Sequence, residues 1–274
     1  MKRKSLAMIG LYSWLILFAL TPMLLVLITS FLTTSEQHLA TTPLTLQAYF
    51  ALLDPLLGKV FIRSIIMALI ATVGCLILAY PFAYAMIKSR HQSLLLVLII
   101  IPFWTSSLIR TYALIALLKY KGLINHWFMT LHIIEKPMSL LYSQTAVIIG
   151  LIYTLFPFMV LPIYTQMERF DFQLIDAARD LGANRWQVFS RVFLPNTIPG
   201  IIAGSLLVSL PAMTLFYIPN ILGGARTVLL GNLIQDQFLL TQNWPQGAAT
   251  SVALTVVLIG LLSLFKRNNK AVML

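Results

Sequence analysis

The chain has 274 residues, of which 59% are hydrophobic and only 10% are charged, whereas an ordinary soluble domain carries about 25% charged residues. This composition excludes a soluble domain and indicates a membrane protein that crosses the bilayer several times. The net charge of +11 comes from short basic runs scattered among apolar segments, which favours membrane topology over nucleic-acid binding, and the single Cys75 excludes both a disulfide within the chain and a cysteine-based metal site.

Six segments of the chain are apolar over the length of about 20 residues that a membrane-spanning helix needs. They cover residues 9–31, 60–87, 94–118, 145–167, 198–218 and 248–265. The sequence therefore predicts an all-α polytopic membrane protein with six transmembrane helices. We expect these helices to form a single transmembrane domain over residues 1–274.

Lysine and arginine residues concentrate at alternate ends of the predicted spans. If the N-terminus is cytoplasmic, most of the 19 basic residues fall in cytoplasmic segments, as the positive-inside rule requires. We therefore expect both termini to lie in the cytoplasm. The outer connections are then residues 32–59, 119–144 and 219–247. The third connection shows helical spacing at residues 229–240 and a helix start at Asn243-Trp244-Pro245.

A charged segment at residues 168–197 interrupts the apolar pattern between the fourth and fifth spans. Placing its arginines at the centre of a bilayer would cost about 2.5–3.5 kcal/mol each, so we expect the segment to lie outside the hydrocarbon. Gly182 can take the positive φ that ends a helix, and Asn184 is a good cap for the next helix. The sequence therefore predicts two short helices joined by a sharp turn.

Three interpretations of this helix–turn–helix are open from the residues alone. It can be an amphipathic loop packed under its own spanning helices, a DNA-binding motif, or a docking element for a cytosolic partner. DNA binding is disfavoured because the segment is tethered within a few residues of the span that begins at Ile198. The small residues Ala177 and Ala178 beside Gly182 would let the surface of another protein approach closely, which favours docking.

The residues of this segment resemble the EAA motif of ABC importer permeases. The pattern runs Asp176-Ala177-Ala178, three residues, Gly182, nine residues, Val192, one residue and Leu194-Pro195. Asp stands where that motif usually has Glu, and Val stands where it usually has Ile; both keep the chemical class. Three further stretches resemble the spermidine/putrescine (PotB-type) family of these permeases: IPFWTSSLIR at 101–110, LPAMTLFY at 210–217 with Gly223-Gly224, and NWPQGAA at 243–249.

The resemblance implies the type I ABC importer permease fold and a place in the bacterial inner membrane. Permeases of this family form one half of a membrane pair, with two ATPase subunits below and a periplasmic substrate-binding protein above. The chain has no G-x-x-x-x-G-K-[ST] phosphate loop. We therefore expect no enzymatic activity and no cofactor on this chain, with ATP and Mg bound by the partner ATPase subunits.

The resemblance also assigns the segment at residues 168–197 as the coupling loop, whose first helix docks in a cleft of the ATPase. The residues implied in ATPase coupling are Asp176, Ala177, Ala178, Gly182, Leu194 and Pro195. Within this set, the helix before Gly182 is the expected contact, and Leu194-Pro195 is the expected link to the fifth span.

The implied substrates are polyamines, and their path through the membrane has to be inferred separately. The acidic residues outside the predicted cytoplasmic segments all lie in outer connections: Glu36, Asp54, Glu135 and Asp236. With no carboxylate in mid-span, we expect an aromatic-lined path that attracts cations through ring faces. The candidate residues are Trp104, Phe216 and Tyr217, with Asp236 near the mouth. Packing or interfacial anchoring is the alternative for each aromatic residue.

Other functions fit the sequence less well. Related ABC permeases carry ferric ions or thiamine, and the residues do not separate these solutes from polyamines. A secondary transporter or channel should show intramembrane acids for its coupling ion, and none is present in the spans. A membrane enzyme or metal site is disfavoured because the four histidines are dispersed over loops and no H-E-x-x-H or G-x-S-x-G motif occurs. Arg110, about 24 Å along a straight third helix from Leu94, is expected near the outer interface.

Overall fold

The structure is a computed structural model that describes residues 2–34, 39–224 and 227–272, with side chains described for residues 8, 11–34, 39–224 and 227–263. Glu36, one of the acids predicted on the outer side, lies outside the described residues. The described part is helical and contains no strand, only an isolated bridge between Thr33 and Thr41. Its helices are α1 (Lys2–Thr29), α2 (Gln47–Ala51), α3 (Pro55–Lys88), α4 (Gln92–Ile100), a 3₁₀ turn (Ile101–Trp104), α5 (Ser107–Leu118), α6 (Leu123–Thr130), α7 (Gln144–Glu168), α8 (Gln173–Asp180), α9 (Arg185–Val188), a π-helical segment (Phe189–Phe193), α10 (Leu194–Thr214), α11 (Tyr217–Gly223), α12 (Leu230–Leu239) and α13 (Trp244–Val272).

Five helices in the described residues are long and apolar enough to cross a membrane, and a sixth span is obtained if one bent helix pair is counted as a single crossing. The first, second, fourth and sixth predicted spans correspond to α1, α3, α7 and α13. The predicted count of six therefore agrees with the structure when the bent pair is included. The short helix expected at residues 229–240 is also present, as α12.

The third predicted span is broken, and the expectation of one continuous helix over residues 94–118 is wrong. The chain turns by 97° between the part ending at Trp104 and the part beginning at Ser107. Pro102 lies in the 3₁₀ turn, and the next two residues, Thr105 and Ser106, are extended with ψ of 146° and 132°. Two extended residues interrupt the ladder of helical hydrogen bonds, so the helix cannot continue through them. The distance along a straight helix that placed Arg110 near the outer interface therefore does not apply.

The fifth span differs from its predicted bounds at both ends. The helix runs without a break from α9 through the π-helical segment into α10, which gives a spanning helix over Arg185–Thr214. At its other end the helix stops at Thr214, because Leu215 is extended with ψ 118°. The second short helix of the charged segment is thus the beginning of the fifth span, whereas a separate helix was expected.

The chain divides into two compact units, and the first comprises Met1–Phe61 and Leu233–Leu261. In this unit the Asn243 side chain accepts a hydrogen bond from the Gln246 amide at 3.2 Å and so caps α13, as predicted for Asn243-Trp244-Pro245. The Thr34 hydroxyl donates to Asn243 at 2.9 Å, and the rings of Phe238 and Trp244 pack edge to face at 5.7 Å. These contacts fix the end of α12 against the start of α13.

The second unit comprises Ile62–Asn232 and Leu262–Leu274, and the packing of α7 against α10 forms its centre. Glycines allow the two backbones to approach closely. A Cβ at Gly200 would lie 2.8 Å from the Pro162 carbonyl oxygen, and one at Gly204 would lie 3.1 Å from the Met159 carbonyl oxygen. Any larger residue at either position therefore pushes the helices apart.

Candidate functional site

The turn of the coupling loop is a glycine-terminated helix end. Gly182 has φ +83°, its amide donates to the Arg179 carbonyl at 2.8 Å, and the Ala183 amide donates to the Ala178 carbonyl at 3.0 Å. This pair of hydrogen bonds is the Schellman motif, which satisfies the last carbonyls of α8 and needs a residue that tolerates positive φ. The predicted role of Gly182 as the turn residue is confirmed.

The next helix begins with a reciprocal cap. The Asn184 side chain accepts from the Gln187 amide at 2.8 Å, and the Gln187 side chain accepts from the Asn184 amide at 2.9 Å. This capping box satisfies two amides that the helix itself cannot pair. Hydrogen bonds between its own residues therefore pair the free backbone groups on both sides of the turn between α8 and α9.

The outward side of this turn is apolar and unusually exposed; we call the surface formed by Ala177, Leu181, Gly182 and Trp186 the loop face. Leu181 is 89% exposed and Trp186 is 72% exposed. A Cβ added at Gly182 would meet no atom within 4 Å. Exposed apolar side chains of this size grouped around a small residue are typical of a protein interaction surface.

The structure places the remaining predicted coupling residues on both sides of the turn. Asp176 is exposed on α8 and lies 3.6 Å from Arg179, an exposed pair that contributes little to stability. Ala178 is half-buried. Leu194 and Pro195 begin α10 and are half-buried, so they join the loop to the fifth span without any break in the helix.

An aromatic cluster lies beneath the loop, and the sequence analysis did not identify it. Phe193 in the π-helical segment packs edge to face against Tyr84 of α3 at 5.4 Å and against Phe170 at 5.2 Å. Tyr80 packs edge to face against Phe189 at 6.1 Å, and its hydroxyl is 3.1 Å from the Thr197 hydroxyl. The spacing of four residues between Tyr80 and Tyr84, and between Phe189 and Phe193, was the available signal, since it puts each pair on one helix face.

A groove of about 550 Å³ opens beside this cluster, between the end of α3 and the coupling loop. Its wall contains aromatic and aliphatic side chains together with three basic residues, Lys88, Arg179 and Arg185. The Lys88 ammonium lies 4.4 Å from the centroid of the Tyr84 ring. The full lining is Tyr80, Pro81, Tyr84, Lys88, Ile175, Arg179, Arg185, Val188, Phe189 and Phe193.

The residues proposed for the substrate path are only partly brought together. Phe216 and Tyr217 lie at the end of the fifth span with their rings 6.2 Å apart. Trp104 is 86% exposed, and within the described residues no ring contact joins it to either of them. Asp236 is half-buried on α12 and belongs to the other compact unit.

The backbone at Phe216 is held by Asn232, a buried residue that was not among the predicted site residues. Its side-chain amide donates to the Phe216 carbonyl at 2.8 Å and to the Asn220 side chain at 2.6 Å. Its side-chain oxygen accepts from the Leu229 amide at 3.1 Å. Asn232 is 2% exposed, so these hydrogen bonds are protected from water and fix the break after the fifth span.

Arg110 lies in a second cavity, of about 660 Å³ and mostly apolar lining, formed by α3, α4, α5 and α7. Its guanidinium carbon is 5.7 Å from the centroid of the Phe103 ring, and its Nε is buried without a hydrogen-bond partner. Among the described residues, no group of three or more His, Cys, Asp or Glu could hold a metal ion, there or elsewhere.

The match to known proteins covers nearly the whole chain. Residues 1–268 match the family described as the binding-protein-dependent transport system inner membrane component, and the chain belongs to this family. It is therefore a permease subunit of an ABC importer. The same arrangement of helices occurs in solved structures of a bacterial alginate ABC transporter, at a TM-score of 0.76 with 14% identity over 96% of this chain and 93% of that one, and at 0.75 with 17% identity over 98% and 96%.

Among individual proteins, the chain is similar to the spermidine/putrescine transport system permease protein PotB. It is 48% identical to PotB of Haemophilus influenzae, over 95% of this chain and 92% of the relative. It is 47% identical to PotB of Escherichia coli strain K12, over 96% of both chains. The predicted family and the type I permease fold are confirmed.

Proposed function

We propose that this chain is the PotB-type permease subunit that moves polyamines, spermidine or putrescine, across the bacterial inner membrane. The observation that carries this proposal is its 46–48% identity to PotB proteins over nearly its full length. The other half of the membrane path is supplied by a second permease subunit. A periplasmic binding protein delivers the substrate, and two ATPase subunits bind ATP and Mg and perform the hydrolysis.

The loop face is the proposed contact with one ATPase subunit, and the helix that follows it transmits the movement. Of the predicted coupling residues, Ala177 and Gly182 belong to this face, Asp176 and Ala178 lie beside it on α8, and Leu194-Pro195 connect it to the span. The helix over Arg185–Thr214 has 30 residues and is about 45 Å long at 1.5 Å per residue. A displacement of its exposed end therefore moves the whole fifth span, together with the α7 helix against which it packs.

This function requires the loop face, both termini and the groove beside α3 to lie on the cytoplasmic side. The basic residues of the coupling loop support this orientation, because Arg179, Arg185 and Arg191 are exposed and lysine and arginine concentrate in the cytoplasmic loops of membrane proteins. Residues 1–274 then act as a single transmembrane permease domain.

Polyamines are proposed to pass along aromatic faces on the outer half of the path. Trp104 and Phe216 are exposed, and the Phe216–Tyr217 ring pair presents both a face and an edge. A cation over such a ring gains about 0.5–2 kcal/mol, depending on how far it is desolvated. Asp236 on α12 is proposed to attract the substrate at the mouth.

The coupling assignment is tested by Gly182→Asp in the transporter reconstituted with its partner subunits. A carboxylate at this position adds a charged side chain to the centre of the loop face, so substrate-stimulated ATP hydrolysis should be lost while membrane insertion is unchanged. Gly58→Asp controls for the added charge, because a Cβ at Gly58 also meets no atom within 4 Å and Gly58 lies far along the chain from the loop. Gly182→Asn controls for the backbone, because Asn tolerates the φ of +83° at the turn and carries no charge. Unchanged coupling in Gly182→Asp would disprove the assignment.

The substrate and its path are tested by uptake into vesicles with spermidine, putrescine, thiamine and ferric ion as competing solutes. We expect polyamine uptake that is reduced severalfold in Trp104→Ala and in Tyr217→Ala. If both variants transport polyamine normally, the aromatic path is wrong. If ferric ion or thiamine is taken up and polyamines are not, the proposed substrate is wrong while the transporter class stands.

A further inference from the structure

The groove between α3 and the coupling loop combines three cations with a wall of apolar side chains. Lys88, Arg179 and Arg185 line it, and no carboxylate belongs to its lining. Of these three cations, Arg179 alone lies within 4 Å of an acid among the described residues, at 3.6 Å from Asp176, and both of those side chains are more than half exposed. The groove therefore combines an excess of positive charge with an apolar surface. This combination is complementary to a ligand that has an anionic group and an apolar chain.

From this arrangement we infer that the groove binds the phosphate headgroup of an anionic lipid. Lys88 and Arg185 contact the phosphate from the α3 side and the loop side, and the first part of an acyl chain lies along Ile175, Val188 and Phe193. Basic pockets between membrane helices at the cytoplasmic surface are typical binding sites for such headgroups. The inference rests on the orientation given under the proposed function.

The position of the groove favours a lipid over an acidic segment of a partner protein. Lys88 is the last residue of α3, so the groove begins where a spanning helix leaves the membrane. Tyr84 and Pro81, about one and two turns earlier on the same helix, continue the groove towards the membrane interior. A headgroup at Lys88 thus has its acyl chains directed into the bilayer, whereas an acidic peptide would leave the apolar half of the groove empty.

A lipid in this site connects two parts of the permease that otherwise meet through the aromatic cluster. One cation, Lys88, is on a spanning helix, and the other two are on the coupling loop. The bound phosphate therefore holds the loop against α3. The fraction of anionic lipid in the inner leaflet therefore determines how often the loop is held against α3.

The site is tested in the assembled transporter, in nanodiscs of phosphatidylcholine with increasing phosphatidylglycerol, by native mass spectrometry of the lipid that is retained. The wild type should retain phosphatidylglycerol in preference to phosphatidylcholine. The double variant Lys88→Gln with Arg185→Gln should bind it at least tenfold more weakly. The double variant Lys88→Arg with Arg185→Lys keeps the charges and should retain the lipid.

Arg90→Gln is the matched control, since Arg90 is an exposed cation two residues beyond Lys88 that does not line the groove. An equal loss in the control, or no loss in the Gln double variant, overturns the inference. Displacement of the lipid by inorganic phosphate at a similar concentration would show a free-phosphate site and would also overturn the inference. Lipid retention that appears only after the ATPase subunits are removed would overturn it as well. Retention is measured without ATP, so failure of the proposed coupling role leaves this readout unaffected.

Discussion

The coupling loop and the break in the third span both change the direction of the chain within a few residues, but they are stabilised differently. At the loop, the Schellman motif at Gly182 and the capping box at Asn184 pair the free backbone groups locally. At the break, the Thr105 amide and hydroxyl donate to the Pro102 carbonyl at 3.2 and 2.7 Å, Ser106 precedes α5 without a side-chain cap, and Phe103 packs edge to face against Phe158 at 5.2 Å. The first turn has a side-chain cap at the start of its second helix, whereas the start of α5 in the second turn has none.

This difference matches the demands placed on the two regions. A turn that contacts another protein has to keep its shape while its outer face is exposed, and local hydrogen bonds provide that. A turn beside spanning helices can instead rearrange when those helices move, because Thr105 and Ser106 are exposed and the cavity of about 660 Å³ at Arg110 leaves space for such a rearrangement. We therefore expect substitutions at the loop to act on coupling and substitutions at the break to act on packing.

The largest effect is expected where the loop is connected to the membrane core, at the contact of α10 with α7. Gly200→Val places side-chain atoms against the Pro162 carbonyl and the Gln166 side chain, where a Cβ alone would already lie 2.8 and 2.7 Å away. Overpacking of this kind costs about 1–3 kcal/mol or more, since backbone atoms cannot move aside. The melting temperature of the detergent-solubilised transporter should fall by several degrees, and coupling should be lost with it.

Gly260→Val is the control for this substitution, because a Cβ at Gly260 meets no atom within 4 Å. It introduces the same β-branched residue into a spanning helix without overpacking. If Gly200→Val melts at the same temperature as Gly260→Val, the close contact of α7 and α10 does not stabilise the transporter. The expectation that the coupling loop acts through this contact is then wrong.

The same contrast explains which parts of the structure could be predicted from the sequence. The turn at Gly182 and the caps at Asn184 and Asn243 were predictable because single residue types carry local chemistry that a helix end requires. The break at Thr105–Ser106 was not predictable, because an apolar run is compatible with one straight span or with two bent halves. A single proline such as Pro102 occurs in both kinds of span. The aromatic cluster and the basic groove join residues about 100 positions apart, such as Tyr84 and Phe193, and only packing brings them together.

An intermediate effect is expected at Arg110, which tests whether the break depends on packing or on a charge interaction. Arg110→Met keeps an unbranched apolar stem against Phe103 and removes the buried Nε that has no partner. An unsatisfied buried donor costs about 1–3 kcal/mol, so the thermal stability of Arg110→Met should equal or exceed that of the wild type. Arg110→Ala removes the stem as well and should be less stable than Arg110→Met by about 1 kcal/mol.

The outcome that would contradict this view is a loss of stability in Arg110→Met as large as that in Arg110→Ala. The guanidinium would then make a favourable interaction in the assembled transporter, and the break would be fixed by a charge. Lys119→Met provides the reference for removing a positive charge just beyond the end of α5, where Lys119 is exposed.

The smallest effect is expected at the cap of α9, and it measures how far the loop is stabilised by its own hydrogen bonds. Asn184→Ala removes the acceptor for the Gln187 amide and should cost about 1 kcal/mol, the usual loss for an N-cap residue. Hydrogen exchange at the amides of Gln187 and its neighbours should therefore accelerate roughly fivefold, while the amides of α5 are unchanged. Asn184→Ser keeps an acceptor and should exchange nearly as slowly as the wild type. If exchange in the loop is the same in all three proteins, contacts from α3 hold the turn, and the side-chain cap does not distinguish the loop from the break in the third span.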